Sequence, residues 1–316
     1  MIYNNFFIKF LYITYILSIL LLFEHTNYFK IITSDNYINF DYFNYQNDII
    51  TKKIINESDW LLSLDEAYLI NGLIRKHRPK NCLEIGVANG GSSILILNAI
   101  KDFPESSLVS IDLFTFRNNK KIGYKVEENF PELMMKWKLF LGDMPHKFLS
   151  RLNIKFDLVF LDSAHIIPGE FFNFIEVLPF LNDNAIIILH DIVWHFYRLL
   201  DDKVAINKET HPTQINLMSS LIGNKIMFKS NKKYLMNIGA VFLDKNQKKY
   251  YLNYFLLLMN FWNYLPTDKQ LNELRKFIIK YYNDKILLKI YDKAIYFNKK
   301  VYNRLNNKVV NLLNYT

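Results

Sequence analysis

The chain has 316 residues, of which 51% are hydrophobic, which is enough for a sizeable core in one or two domains. Its single cysteine, Cys82, excludes an intramolecular disulfide and is expected to be a buried structural thiol in a reducing compartment. The net charge of +9 belongs to the end of the chain, because residues 245–316 hold 14 Lys and Arg against 4 Asp and Glu, a balance of +10. The remaining body is close to neutral, which argues against nucleic acid as a substrate.

The first part of the chain, residues 1–30, is a hydrophobic segment whose apolar run over 6–23 contains Lys9 as its only charge. Crossing a bilayer takes about 20 residues, so this run is slightly short. Three interpretations stay open: an uncleaved membrane anchor, a cleaved signal, and a buried or interfacial helix. Residues 31–57 are polar and mixed, which indicates a linker or an irregular cap.

Regular structure is predicted over residues 58–244. A helix is expected first, over 60–77, where Ser63 and Glu66 have the spacing of a capping box. Apolar strands and helices then alternate, which predicts an α/β domain with a parallel sheet covered on both faces. The predicted strands are 81–85, 108–112, 139–141, 156–161, 185–189 and 238–243, and the predicted helices between them include 92–101 and 171–181.

Two regions depart from this alternation. Residues 192–236 interrupt it, and an insertion beyond the carboxyl end of a strand usually helps to build the ligand site. Residues 245–316 are helical in pattern, aromatic and basic, with lysines opposite an apolar face. This tail is either an extension packed on the domain with a solvated basic face, or a helix drawn to an anionic membrane surface.

The strongest motif lies between the first predicted strand and the helix after it, at Glu84–Ser93. It has the form E-x-G-x-x-x-G, in which an acid and a glycine turn precede a helix that opens with Ser92 and Ser93. Glycines let the backbone approach a ligand closely, and the helix N-terminus offers free N–H groups. The acid would repel the pyrophosphate of a dinucleotide but suits the ammonium of a methionine moiety. The alternative is an ordinary strand–helix turn capped by serines.

Acids also follow the next two predicted strands. Asp112 ends the second strand, where a doubly wound sheet places a carboxylate beside the ribose hydroxyls of a nucleoside. Gly142-Asp143 follows the third strand and would otherwise be a common turn dipeptide.

Carboxylates and imidazoles meet at the ends of the fourth and fifth strands. Asp162 ends the fourth strand and His190-Asp191 end the fifth, so these side chains would converge and hold a divalent ion such as Mg²⁺, Mn²⁺ or Ca²⁺. The ion would bind a substrate hydroxyl and lower its pKa, and His165 would take the proton. The alternative is a metal-free crevice in which Asp162 and Asp191 position loops and cofactor.

Together these motifs resemble the class I S-adenosylmethionine (SAM)-dependent methyltransferases over residues 61–244. More narrowly, they are similar to the methyltransferase-24 group, near the catechol, caffeoyl-CoA and sugar O-methyltransferases. The resemblance implies a Rossmann-like, seven-stranded methyltransferase sheet with helices on both faces. It implies cofactor contacts from the glycine loop, with Asp112 at the ribose and Asp143 at the adenine, and a metal-assisted reaction with His165 as base. The loop residues in question are Glu84, Gly86, Asn89, Gly90 and Ser92.

The implied activity is SAM-dependent O-methylation of a hydroxylated small molecule or glycan, assisted by Mg²⁺ or another divalent cation. Because SAM is made in the cytosol, the domain is expected to be cytoplasmic. Tethering to the cytoplasmic face of a membrane, through residues 6–23 and the basic tail 245–316, stays open. The oligomeric state is also open. Two alternatives from other classes remain: a non-catalytic, membrane-associated binding or scaffold protein, and an NAD-linked oxidoreductase, which the glycine spacing disfavours.

Overall fold

The computed structural model describes residues 29–33, 62–163, 165–192, 213–229 and 236–313. The expected hydrophobic run near the N-terminus and most of the expected linker lie outside these ranges. Within them, no helix combines the length and the apolar character needed to cross a membrane.

One mixed sheet and a small hairpin account for the strands in the described part of the chain. In chain order the strands are β1 (Phe29–Thr33), β2 (Asn81–Ile85), β3 (Ser107–Asp112), β4 (Phe116–Arg117), β5 (Lys120–Lys121), β6 (Trp137–Leu141), β7 (Phe156–Leu161), β8 (Leu181–His190), β9 (Gly223–Lys229) and β10 (Met236–Leu243). The sheet has the order β1-β9-β10-β8-β7-β2-β3-β6, while β4 and β5 pair only with each other. The seven sheet strands between residues 81 and 243 confirm the predicted sheet, and β1 adds an eighth at its edge.

The direction of β10 differs from the prediction of a parallel sheet. It runs antiparallel to both β8 and β9, whereas β8, β7, β2, β3 and β6 pair with one another in parallel. The connection over 230–235 is too short for the crossover that parallel neighbours need, which takes about a dozen residues or more. Strand β9 has no counterpart in the sequence prediction, and neither has β1, which pairs with β9 where residues 31–33 were expected to begin a linker.

Helices cover both faces of the sheet, as predicted. They are α1 (Leu64–His77), α2 (Gly91–Ile100), α3 (Tyr124–Asn129), α4 (Pro145–Leu152), α5 (Gly169–Val177), α6 (Thr213–Ser220), α7 (Tyr251–Leu256), α8 (Asp268–Tyr282) and α9 (Lys285–Leu313). Alternate residues of β7 face opposite ways: Leu158 and Phe160 join a core with α1 and α2, while Val159 and Leu161 join a core with α5, α6 and the C-terminal helices. Strand β7 therefore has two buried faces.

Local signals set the ends of two helices. The capping box before α1 is present, with the Ser63 N–H donating to Glu66 Oε2 at 2.6 Å and the Glu66 N–H donating to Ser63 Oγ at 3.3 Å. Helix α5 ends at Val177, earlier than the predicted 181, and is followed by a 3-10 turn that contains Pro179. Proline has no N–H to continue the helix, so β8 begins at Leu181.

The C-terminal tail packs on the domain. The apolar positions of α8 and α9, including Leu274, Ile278 and Tyr291, are buried in the core on the α5 side of the sheet. The Tyr282 hydroxyl donates to the carbonyl oxygen of Ile175 at 2.6 Å, and the Tyr291 hydroxyl donates to that of Leu271 at 2.8 Å. These apolar positions of the tail are therefore buried against the domain, as the packed-extension interpretation expects.

Candidate functional site

The site lies where the strand order reverses. From β2 the chain proceeds outward to β3 and β6 on one side, and then to β7 and β8 on the other. In an open α/β sheet, ligands bind outside the carboxyl ends of the strands at such a switch point. The glycine loop after β2, Asp112 at the end of β3 and Asp162 just after β7 all lie at this edge.

The glycine loop is shaped by two glycines with left-handed backbone conformations, with Ala88 between them also at a positive φ of +50°. Gly86 has φ +91°, and a Cβ there would stand 2.0 Å from the carbonyl oxygen of Asp162. Gly90 has φ +98°, and a Cβ there would stand 2.9 Å from the Cα of Gly123. The Asn89 carbonyl accepts from the Lys125 N–H at 3.1 Å, which ties the loop to α3. Only glycine fits at 86 and 90, because the loop is pressed between the end of β7 and the start of α3.

Glu84 lies fully buried beneath this loop. Its Oε2 accepts from the hydroxyls of Ser93 and Ser110, each at 2.6 Å, while its Oε1 has no hydrogen-bond partner among the described residues. Burial raises the pKa of Glu84 to about 7, against the opposing effect of the hydroxyl donors, including that of Ser92 in the first turn of α2. The free Oε1 could receive a hydrogen bond from a cationic ligand group.

Asp112 holds the glycine loop in place. Its Oδ2 accepts from the backbone N–H groups of Val87 and Ala88, at 2.9 and 3.1 Å, and its Oδ1 accepts from the Phe114 N–H at 2.9 Å. A carboxylate has about four acceptor sites, so these bonds within the described structure leave room for one more donor, such as a ribose hydroxyl. Asp112 thus has a loop-fixing role that the sequence did not reveal.

Asp143 lies at the same edge, beyond Asp112. The Gly142 N–H donates to the Asp112 carbonyl at 3.0 Å, which brings the two strand ends together. The Asp143 side chain is about half exposed, and its Oδ1 accepts from the Met144 N–H at 2.9 Å. Its Oδ2 lies 3.7 Å from Lys147 Nζ, so a ligand at this oxygen would share it with that cation.

The structure brings together the four acid and imidazole side chains expected at the ends of β7 and β8. His165 Nε2 lies 3.2 Å from Asp162 Oδ1 and 3.4 Å from Asp191 Oδ2. His190 Nδ1, on a buried ring, lies 3.3 Å from Asp162 Oδ2 and 3.5 Å from Asp191 Oδ1. In Asp162, His165 and Asp191, one ligand atom from each residue lies within 4.8 Å of the other two, a spacing that suits one metal ion.

The charges of this cluster balance each other. Burial disfavours the imidazolium form, but Asp162 and Asp191 outweigh it and raise the pKa of both His165 and His190 to about 9. The two imidazoles in turn hold the pKa of Asp162 well below its usual range, although burial opposes this. The two carboxylates thus favour protons on the imidazoles, and a divalent ion at the cluster would compete with those protons.

Two buried polar residues near the cluster were not predicted from the sequence. Asn237, on β10, donates from Nδ2 to Asp191 Oδ1 at 2.8 Å and lies 3.4 Å from His190 Nε2. Glu170, in α5, is fully buried and accepts from the His165 N–H at 3.2 Å. An asparagine inside an apolar strand and an acid in a helix rich in phenylalanine were the available signals.

Residues 83–192 match the family model of a methyltransferase domain, Methyltransf_24. The structure is similar to the O-methyltransferase TomG from Streptomyces achromogenes, involved in tomaymycin synthesis and solved with SAM (19% identity, TM-score 0.45, 61% of this chain and 86% of that one). It is also similar to an O-methyltransferase from Bacillus cereus in complex with SAH (16% identity, TM-score 0.49, 64% of this chain and 96% of that one). No curated protein matches the sequence significantly.

The matched segment contains every residue predicted for the cofactor and metal sites, from Glu84 to Asp191. The glycine loop, the acid that ends β3 and the acids that end β7 and β8 all meet at the switch point of the sheet. The chain therefore carries a class I SAM-dependent methyltransferase domain.

Proposed function

We propose that this protein transfers the methyl group of SAM to a hydroxyl oxygen of a small molecule or sugar, with the help of a divalent cation. The observation that carries the proposal is the contact between the glycine loop and the acid cluster. Because Gly86 packs directly on the backbone of Asp162, a cofactor on the loop and a cation at the cluster would be neighbours. Neighbouring sites of this kind place a hydroxyl group beside a methyl donor.

The cofactor side of the proposal rests on acceptors that the protein leaves open. The methionine ammonium of SAM would meet Glu84, whose Oε1 lacks a partner within the described structure. A ribose hydroxyl would donate to Asp112, and the adenine edge would lie near Asp143. Asn89, Gly90 and Ser92 would line the methionine end of the cofactor. The long axis of SAM would thus follow the strand ends from β2 to β6.

The donor set of the cluster suits a cation such as Mg²⁺ or Mn²⁺, because two of the three groups are carboxylates. Asp162, Asp191 and His165 would hold it, with His190 buried beside the two carboxylates. When bound, the cation would supply a Lewis acid that lowers the pKa of the acceptor hydroxyl. The hydroxyl would give up its proton to water as its oxygen attacks the methyl group and S-adenosylhomocysteine leaves.

His165 has a ligand role in this proposal in place of the base role expected from the sequence. Its Nε2 faces both carboxylates, while its Nδ1 is buried without a hydrogen-bond partner in the described structure. One ring nitrogen cannot bind a cation and accept a proton at once. The protein's further contribution is alignment of the hydroxyl with the methyl donor, which can account for much of the rate enhancement.

The test begins with calorimetric titration of S-adenosylhomocysteine (SAH) into the full-length protein and its Glu84→Ala variant. We expect micromolar binding by the wild type and a loss of binding in the variant. A screen of hydroxylated acceptors follows, with SAM and either Mg²⁺ or EDTA, and methyl transfer is expected only with the cation. A folded wild-type protein that binds no SAH would refute the proposal and favour a non-catalytic binding protein.

A further inference from the structure

Glu170 is a buried acid that joins two segments at the edge of the proposed metal site. It lies in the first turn of α5 and is 0% exposed. Its Oε1 accepts from Gln214 Nε2 at 2.8 Å, and its Oε2 accepts from Ser163 Oγ at 2.8 Å and from the His165 N–H at 3.2 Å. One carboxylate therefore connects the turn after β7 with the first turn of α6.

The turn that Glu170 holds has a conformation that needs support. His165 has φ +48°, in the left-handed region that is costly for residues other than glycine. Its carbonyl oxygen accepts from Thr213 Oγ1 at 3.2 Å, and Asn173 Nδ2 donates to Ser163 Oγ at 2.7 Å. With the N–H bonded to Glu170 and the carbonyl bonded to Thr213, both backbone polar groups of His165 are fixed from outside its own turn.

A purely structural role explains this acid poorly. Burying a carboxylate is costly, and well-packed apolar residues often serve stability equally well or better. What an apolar side chain at this position cannot do is accept hydrogen bonds from the His165 and Ser163 donors. The ring of His165 points between Asp162 and Asp191, and the N–H of the backbone that carries it donates to the Glu170 carboxylate.

We infer that Glu170 is a positioning residue that fixes His165 for cation binding and couples this turn to the start of α6. This inference rests on the proposed metal-assisted function, but its structural half does not need it. Residues that orient metal ligands from outside the coordination shell typically change metal affinity by about 10–100-fold when they are replaced. We expect a loss of that order when the acceptor at position 170 is removed.

The test compares Glu170→Met with Glu170→Gln in the full-length protein. Methionine keeps the bulk but removes the acceptors. Glutamine keeps one acceptor oxygen for Ser163 and His165, and its amide can donate to the Oε1 of Gln214, which has no partner in the described structure. The matched control is Glu176→Met, which replaces an equally buried acid of α5 that contacts His146 instead of the turn.

Two quantities are measured: amide hydrogen exchange in peptides spanning 162–167, and Mn²⁺ affinity by electron paramagnetic resonance. Glu170→Met should speed the exchange and weaken Mn²⁺ binding at least about tenfold. Glu170→Gln should keep the exchange rate and the Mn²⁺ affinity close to those of the wild type. Glu176→Met should change neither the exchange rate nor the Mn²⁺ affinity, even if it lowers thermal stability. SAH affinity should remain close to wild type in all three variants.

Unchanged exchange or unchanged Mn²⁺ affinity in Glu170→Met would overturn the inference, as would an equal loss in Glu176→Met. If Glu170→Met fails to fold, Thr213→Val replaces it, since it removes the bond to the His165 carbonyl and should produce the same two changes at smaller size. A wild type that binds neither SAH nor Mn²⁺ would refute the proposed function, whereas the exchange data would still report whether Glu170 holds the turn.

Discussion

The carbonyl oxygen of Asp162 occupies the place where a side chain on Gly86 would begin, 2.0 Å from an ideal Cβ. The glycine loop and Asp162, one of the proposed metal ligands, are therefore in direct backbone contact. The Asp162 N–H also donates to the Ile85 carbonyl at 3.1 Å, so the strand pairing of β2 and β7 continues up to this contact. A change at either residue is expected to reach both halves of the site.

Replacing Gly86 by alanine tests this contact. The new methyl group would clash with the Asp162 backbone. The alanine would also have to adopt a left-handed backbone conformation, which alone costs about 1–2 kcal/mol. We expect SAH affinity to fall at least about tenfold and the melting temperature to drop. Gly142→Ala is the control, because Gly142 has φ +86° but a Cβ there would meet only the Thr115 methyl group at 3.1 Å. Equal SAH affinity in Gly86→Ala and wild type would contradict the close packing.

The buried Glu84 should make the stability of the unliganded protein depend on pH. Its pKa is about 7 in the folded state against an ordinary 4.5, so the folded protein binds its proton more tightly than the unfolded chain. The free energy of unfolding should therefore fall between pH 4.5 and 7 and level off above, by about 3 kcal/mol relative to Glu84→Gln. Urea denaturation of both proteins at several pH values measures this difference. Parallel pH profiles would show that Glu84 titrates normally.

The role of His165 is decided by separating cation binding from turnover. If His165 is a ligand, His165→Ala should weaken Mn²⁺ affinity as well as kcat, and Asp162→Asn should do the same. Asp143→Asn is the control, because Asp143 lies outside the cluster and should leave Mn²⁺ affinity unchanged. A His165→Ala variant with normal Mn²⁺ affinity and a low kcat would instead establish the base role.

Asn237 should increase the metal affinity of the acid and imidazole cluster through its hydrogen bond to Asp191. Its side-chain N–H orients the Asp191 carboxylate, and such outer partners change metal affinity by about 10–100-fold. Asn237→Leu is therefore expected to weaken Mn²⁺ binding by at least about tenfold. The control is Asn298→Leu, since Asn298 is a buried asparagine of α9 that bonds to the Trp262 N–H at 2.8 Å instead. Similar Mn²⁺ affinities in the two variants would exclude a special role for Asn237.

Much of the site could be predicted because its signals are local. Glu84, Asp112, Asp162 and Asp191 each end an apolar strand or follow it directly, and the carboxyl ends of parallel strands meet at one edge of a sheet. The positions of these acids in the sequence therefore predict that they lie together in space. The glycines of the loop are equally local, since the turn between β2 and α2 needs their backbone freedom.

What the tertiary structure alone decided involves partners far apart in the chain. β1 pairs with β9 across almost two hundred residues. The direction of β10 follows from its short connection to β9, which makes the two strands antiparallel neighbours. Glu170 and Asn237 look like ordinary polar residues until α5 and β10 are placed beside His165 and Asp191. The amino-acid sequence determined the strand ends and the glycine loop of the proposed site, because each is specified by its neighbours in the chain. The residues that hold those groups in position emerged only from long-range packing, which has no local pattern to reveal it.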